Sequence, residues 1–344
     1  MKIAILTPTF HAYSGIDRVA QLQAEELAKK GHDVTVIALE ASLKGENYKV
    51  VTLGMPKSAF WQRLYRLFFF LDKKGMDAYK LLKGYDKTIA HFYPMTMIAC
   101  NAKKKYCVRY VYWDHGVNTT GLIDSIPQKI YMRLFRFFNN NSIMIADEAY
   151  SVSKYLSDEL WKESKIRSKV AYNPIDTKRF NQKVKPGIIR KKYGLDGKKV
   201  VLYVGRIAPH KGIHYLIEAV REAQDRYPDI ALLIVGKETF PGYSNRLRRQ
   251  ISSSGAKNVV FAGFIDDRKL PSYYASCDVY ATGSQWEGFD LPAAEAQACG
   301  KPVVAFDIGS HREIVKYGIL VKNFDIDGFS GSLLKIAGKN RKRP

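Results

Sequence analysis

The sequence predicts an α/β protein of two doubly wound lobes facing a central cleft. Three observations predict it: strand-like runs alternate with helical stretches in both halves, the strand runs are nearly continuous in apolar residues, and the pattern restarts near Lys198. A parallel sheet covered by helices on both faces needs such uninterrupted strands. A chain of 344 residues is long for one core and suits two lobes of about 150–190 residues each.

The first half opens with a strand at Ile3–Thr7, a glycine loop at Ser14-Gly15 and a helix over Ile16–Lys30. That helix sets Val19, Leu22 and Leu27 apart from Arg18, Glu25, Glu26 and Lys29, and Gly31 stops it before a strand at Val34–Leu39. Asn173-Pro174-Ile175-Asp176 reads as a linker, because proline and its predecessor favour extended backbone; the lobes are therefore expected to span residues 1–174 and 175–344. The second half predicts a strand at Val200–Val204, a loop over Gly205–Gly212, a helix at Ile213–Asp225 and a strand at Ile230–Val235. Val259–Phe261, a helix at Leu270–Ser276 and a strand at Val279–Ala281 continue the alternation. The helix Pro292–Ala298, Gly300, the strand Pro302–Phe306 and a helix at Phe329–Ala337 complete it. Ligands of doubly wound folds bind beyond the carboxyl ends of the strands, so the cleft between the lobes is the expected site. The competing architecture, a dehydrogenase with a substrate lobe, lacks its fingerprint, since Thr9–Gly15 contains no G-x-G-x-x-G.

Composition narrows the class. Hydrophobic residues at 46% and charged residues at 26% describe a globular chain. Cys100, Cys107, Cys277 and Cys299 fit no zinc spacing, and a reducing, cytoplasmic setting follows. The apolar stretch after Met1 is too short for a secretory signal, and no run reaches the length of a spanning helix. The formal charge of +22 admits nucleic acid, an anionic membrane surface or a merely basic proteome as its explanation.

The segment Glu287-Gly288-Phe289-Asp290-Leu291-Pro292-Ala293-Ala294-Glu295 carries the most chemistry. Pro292 suits the first turn of a helix, which puts Glu287 on the loop and Glu295 on the first helical turn. Free backbone N–H groups around Asp290 and Leu291 would make this end an anion site, with the carboxylates accepting bonds from sugar hydroxyls; alternatively both glutamates only favour the helix dipole. Gly205-Arg206-Ile207-Ala208-Pro209-His210-Lys211-Gly212 follows a buried strand directly. Arginine as a fork and lysine as a point charge suit a diphosphate clamp, against the alternative of two solvated surface charges.

These segments resemble the family 4 retaining glycosyltransferases, which have the GT-B fold of two Rossmann-like lobes. The resemblance rests on Gly205-Arg206 with Lys211-Gly212, on Glu287 through Leu291 with Glu295, on Gly300-Lys301-Pro302, on Gly309 through Val315, and on Asn173 through Asp176. It implies that Arg206 and Lys211 neutralise the leaving diphosphate of a UDP- or GDP-sugar donor, with no metal and no further cofactor. It implies that Glu295 binds the donor ribose, that Glu287 lies beside the transferred hexose, and that amides of Gly288, Phe289, Asp290 and Leu291 contact the sugar or the β-phosphate. Gly15 would bring amides to the phosphate from the N-terminal lobe. His115, in Trp113-Asp114-His115-Gly116, matches the family's active-site histidine. Two departures stand out: Ser14-Gly15 replaces a common pair of glycines, and Asp290 replaces a common glycine, where its carboxylate serves either sugar recognition or helix capping. Family members also usually continue past the position of Pro344 with a helix that crosses back to the first lobe.

The acceptor lobe of such an enzyme is the N-terminal one, where the basic and aromatic residues collect. Phe60, Leu64, Leu67, Phe68 and Leu71 form one helical stripe, and Ile130, Leu134, Phe137 and Phe138 a second. Trp61, Phe69, Arg63, Arg66, Arg133 and Arg136 flank them and are the expected contacts with an anionic bilayer, although both stripes could equally cover a sheet. A peripheral position on the cytoplasmic face and a lipid-linked acceptor follow from the first reading, a soluble acceptor from the second. The aromatics lie in apolar stripes and not on a strand platform, so nucleic acid is not an expected partner.

Overall fold

The computed structural model describes residues 1–11, 15–116 and 126–339. The chain divides into two compact units, Met1–Pro174 and Ile175–Pro344.

Unit 1 is a parallel seven-stranded sheet flanked by helices. Its strands are β1 (Lys2–Phe10), β2 (Asp33–Ala41), β3 (Lys49–Thr52), β4 (Lys87–Ala90), β5 (Arg109–Asp114), β6 (Glu148–Ser151) and β7 (Lys169–Val170), in the order β3-β2-β1-β4-β5-β6-β7. Ala4, Ile5, Leu6, Val36, Ala38 and Leu39 are fully enclosed, as central strands covered on both faces require. β1 runs to Phe10, three residues beyond the expected Thr7, because Thr9 and Phe10 still pair with Glu40 and Ala41 of the longer β2. The helix Gly15–Lys29 begins at the glycine that the sequence placed in a loop. Ser14 of that Ser14-Gly15 loop lies outside the described residues.

Unit 2 repeats the plan with six parallel strands: β8 (Lys199–Val204), β9 (Ile230–Val235), β10 (Val259–Gly263), β11 (Val279–Thr282), β12 (Val303–Phe306) and β13 (Gly318–Val321), ordered β10-β9-β8-β11-β12-β13. The strand Ile230–Val235 and the helix Leu270–Ser276 have the expected bounds. The helix Ile213–Arg226 packs Ile213, Leu216, Ile217 and Val220 onto one face of the sheet, with Phe329 and Leu333 of the helix Ile326–Lys339 in the same core. Truncating one such enclosed leucine to alanine removes about 2–5 kcal/mol. In both sheets the first strand lies in the interior and the chain winds outward from it in two directions. This reversal leaves a crevice at the strand carboxyl ends, between β1 and β4 and between β8 and β11.

Candidate active site

The crevice of unit 2 gathers the loops after β8, β11 and β12. The first of these ends at Gly212 in the left-handed region (φ 60°), where an added Cβ would stand 1.8 Å from the Gly283 carbonyl oxygen of the second. Only glycine tolerates that conformation and that approach together. Gln285 N donates to the His210 carbonyl at 2.9 Å and binds the two loops further.

This contact brings Lys211 and Glu287, seventy-six positions apart, into an ion pair of 2.5 Å between Nζ and Oε1. Ser284 Oγ donates to the same oxygen at 2.7 Å, and Thr282 Oγ1 donates to Ser284 Oγ at 3.1 Å. Glu287 is buried, so its carboxylate is held by these contacts and not by solvent. Arg206 is exposed on the same loop, while Tyr203 OH holds the Arg206 carbonyl at 3.0 Å. Burial, with the charges of Lys211 and Arg206, pushes His210 down to about 3 and keeps it neutral between two cations.

The helix Leu291–Ala298 rises from this loop, rich in alanine and therefore easily helical, and packs on β11 and β12. Asp290 is its N-cap, accepting the Ala293 N–H at 3.1 Å through Oδ1. The other oxygen, Oδ2, meets His311 Nε2 at 3.1 Å, and His311 Nδ1 donates to the Phe306 carbonyl at 2.7 Å. Both side chains are buried, Asp290 at 3% exposure and His311 at 0%. Burial alone would raise the aspartate, but the bond and charge of His311, with Lys211, hold its pKa below the usual carboxylate value. Burial would lower the histidine, and Asp290 with Glu287 raises it instead. Asp290 is thus a helix cap and the ion-pair partner of His311.

Two expectations need correction here. The Leu291 N–H is not free, since it donates to the Phe289 carbonyl at 3.2 Å within a tight turn. Glu295 is the fifth residue of the helix and lies on the second turn, because the helix starts at Leu291. Its Oε2 accepts from Tyr274 OH at 2.8 Å, which aims the carboxylate from a neighbouring helix. Gly288 is buried in the same loop, and Phe289 packs half-buried against the core beneath it. Tyr274, Ser284 and the role of His311 were missed from sequence, where nothing local marks a residue whose partner is three to twenty-one positions away.

The crevice of unit 1 is built differently. His115 follows β5 and its Nε2 lies 2.8 Å from Nδ1 of His91, which follows the adjacent β4. Desolvation pushes His115 down to about 3 and His91 well below its ordinary value, so both rings are neutral at physiological pH. Asp114, buried beside them, accepts from Gly116 N at 2.9 Å, Ser151 Oγ at 3.1 Å and Tyr112 OH at 3.2 Å. Burial outweighs these bonds and lifts its pKa to about 6. At the end of β1, Asp17 accepts from the His11 N–H at 2.8 Å and from Thr9 Oγ1 at 2.9 Å, tying the first turn of the Gly15–Lys29 helix to the strand. A side chain added at Gly15 would meet open space.

The basic, aromatic stretch of unit 1 forms the helix Ala59–Leu67, a short turn at Phe69–Leu71 and the helix Ile126–Ile143. Phe70 contacts Phe138 at 5.0 Å between ring centroids, and Tyr131 OH donates to the Arg63 carbonyl at 3.3 Å, so these elements share one surface. Phe60, Trp61, Phe68, Leu71, Ile130 and Phe137 are exposed on it, as are Arg63 and Arg133. Three expected membrane contacts are not. Phe69 is fully buried, because the tighter turn swings it under the helix and into the core. Arg66 is turned inward, with Nη2 3.8 Å from Met55 Sδ. Arg136 is paired with Glu163.

Among the described residues no group of three or more histidine, cysteine or acidic side chains could hold a metal ion, and no helix is long and apolar enough to cross a membrane. A family model described as glycosyltransferase family 4 matches residues 13–179, and one described as glycosyl transferases group 1 matches residues 187–343. An uncharacterized glycosyltransferase of Methanocaldococcus jannaschii is 28% identical over 345 residues, 93% of this chain and 84% of that protein. The GDP-mannose-dependent alpha-(1-6)-phosphatidylinositol monomannoside mannosyltransferase of Mycolicibacterium smegmatis is 38% identical over 153 residues, 41% of this chain and 39% of that enzyme. In fold the chain is similar to Anabaena HepE, solved in complex with UDP and glucose, with a TM-score of 0.77 and 22% identity over 98% of this chain and 89% of that one.

Proposed function

This chain belongs to the family 4 glycosyltransferases, with the GT-B fold, and we propose that it is a retaining enzyme that moves a hexose from a UDP- or GDP-sugar to a lipid-linked acceptor at the cytoplasmic face of a membrane. The observation that carries the donor half of this reading is the Lys211–Glu287 pair beside Arg206, at the carboxyl ends of β8 and β11. An ammonium has three donors, so Lys211 can keep Glu287 while it binds a phosphate oxygen. Arg206, exposed and on the same loop, supplies a second cation to the diphosphate. Glu295, aimed by Tyr274, takes the ribose hydroxyls, and Glu287 with the amides of Gly288 to Asp290 takes the sugar.

In this reading the acceptor oxygen bonds to the anomeric carbon on the face from which the nucleoside diphosphate leaves. The bond from that carbon to the phosphate oxygen breaks with its electron pair, and a leaving phosphate oxygen takes the acceptor proton. Arg206 and Lys211 stabilise the charge that appears there, the work a metal ion does elsewhere. Chelation with EDTA is accordingly expected to leave the rate of nucleoside diphosphate release unchanged. Residues 1–174, with His115, form the acceptor side. The relatives fit this reading, one by the GDP-mannose dependence in its name and one by its bound UDP and glucose.

The donor site is tested by screening nucleotide sugars for binding to the protein and to Glu295→Ala and Lys211→Ala. The tightest binder should weaken in both; if it weakens in neither, the donor site is elsewhere. The membrane half rests on the exposed Trp61, Phe60 and Phe137 beside Arg63 and Arg133. Co-sedimentation with anionic liposomes should fall as salt rises. Equal recovery in the supernatant with and without them would point to a soluble acceptor.

A further inference from the structure

We infer that His91 is a positioning residue for His115, donating from Nδ1 to His115 Nε2 and so fixing the His115 tautomer that carries its proton on Nδ1. The inference rests on the reading of His115 as the active-site histidine of unit 1, and goes beyond it by naming the group that sets its hydrogen-bonding state.

The argument starts from the contact itself. Two imidazole nitrogens 2.8 Å apart require one proton between them, supplied by one ring and accepted by the other. Both rings are neutral, since burial disfavours the charged form of each and a charge on His115 would further lower His91. A neutral ring holds a single proton, so the direction of this one bond dictates both tautomers. The far nitrogen of His91 decides the direction. Nε2 is buried and has no hydrogen-bond partner among the described residues. Were His115 the donor, His91 would have to carry its own proton on Nε2, leaving an N–H pointed into packing with nothing to receive it. Buried, unpaired N–H groups are rarer and worse tolerated than an under-used acceptor. With His91 as donor, Nε2 is a bare aromatic nitrogen instead.

The backbone fixes the geometry. β4 and β5 pair in register with Ala90 opposite Tyr112, and the His91 N–H donates to the Leu6 carbonyl at 2.9 Å. The rings lie edge to edge along this bond, 5.2 Å between centroids and 24° between planes, with Trp113 6.3 Å from His91. His115 therefore cannot rotate to exchange its nitrogens without losing the bond. His91 is fully enclosed, so it meets no substrate and acts only through His115. The result is an imidazole that offers an N–H donor from Nδ1, suited to a hydroxyl or phosphate oxygen and unsuited to taking a proton there.

Selective 15N labelling of histidine tests this on the unmodified protein. His115 should show an unprotonated Nε2 and a protonated Nδ1 at neutral pH; a protonated His115 Nε2 overturns the proposal. His91→Asn, whose side-chain amide can place an N–H near the Nδ1 position, should keep the His115 pattern and most of the activity. His91→Leu should lose the single-tautomer spectrum and about 3- to 10-fold in kcat, no more than the loss of one neutral hydrogen bond at His115, with little change in KM. Release of nucleoside diphosphate from UDP-glucose and GDP-mannose serves as the assay. Equal kcat for the leucine and wild-type proteins would overturn the positioning role. If His115→Ala is fully active while the wild-type spectrum is as expected, the reading of His115 fails and the tautomer assignment stands.

Discussion

The two units share one sheet order and treat its crevice in opposite electrostatic ways. In unit 2 the strand ends present full charges that are paired: Lys211 with Glu287, and Asp290 with His311. In unit 1 the same positions present two imidazoles kept neutral by burial, His91 with His115, and beside them an aspartate whose pKa burial lifts to about 6 without neutralising it at pH 7. The backbone places both sites, and the side chains choose their chemistry. A paired cation can be shared with an anionic leaving group, whereas a neutral imidazole can only donate or accept a hydrogen bond.

The comparison breaks first at Lys211. Lys211→Ala should slow nucleoside diphosphate release by about 10²–10³-fold, the range for removing one preorganised charge-stabilising group, whereas His115→Ala should cost about tenfold, one neutral hydrogen bond. Equal losses would erase the distinction between the two sites.

Asp290→Asn is expected to cost about 3 kcal/mol in urea unfolding at pH 6, because it strips a buried imidazolium of its counter-charge. The pH dependence has a definite sign. Asp290 holds its proton less tightly folded than unfolded, so its contribution is present at neutral pH and lost as pH falls through its lowered pKa. His311 holds its proton more tightly folded, so its contribution is complete below the unfolded value of about 6.5 and lost as pH rises through its raised pKa. The gap between wild type and variant should therefore be widest from pH ~4 to ~6.5 and narrow above it. A gap independent of pH would mean that the pair is not ionic.

Smaller effects sharpen the picture. Tyr274→Phe removes the hydrogen bond that aims Glu295 and should weaken binding of the preferred nucleotide about fivefold, measured by calorimetry. On the surface of unit 1, Arg63→Ala should lower partition into anionic vesicles by about fivefold, near 1 kcal/mol per basic residue. Arg136→Ala should leave partition unchanged, since its guanidinium is already engaged by Glu163.

The sequence by itself determined the alternation of strands and helices and the two-lobe plan, and it marked Arg206, Lys211, Glu287 and Glu295 as candidate site residues. Those features are local: continuous apolar runs, a proline inside a helix start and glycines at loop ends act over a few residues. Ile230–Val235 and Leu270–Ser276 could be bounded from sequence for that reason. Tertiary structure alone decided which side chains meet. Asp290 finds His311, His91 finds His115 and Tyr274 finds Glu295 only because the sheet order lays their strands and helices side by side. It also decided which aromatic residues face outward. A helical period continued through Leu67 would keep Phe69 beside its neighbours, but the chain tightens into a 3₁₀ turn there, and the changed rotation per residue buries Phe69 while Phe68 and Phe70 stay exposed.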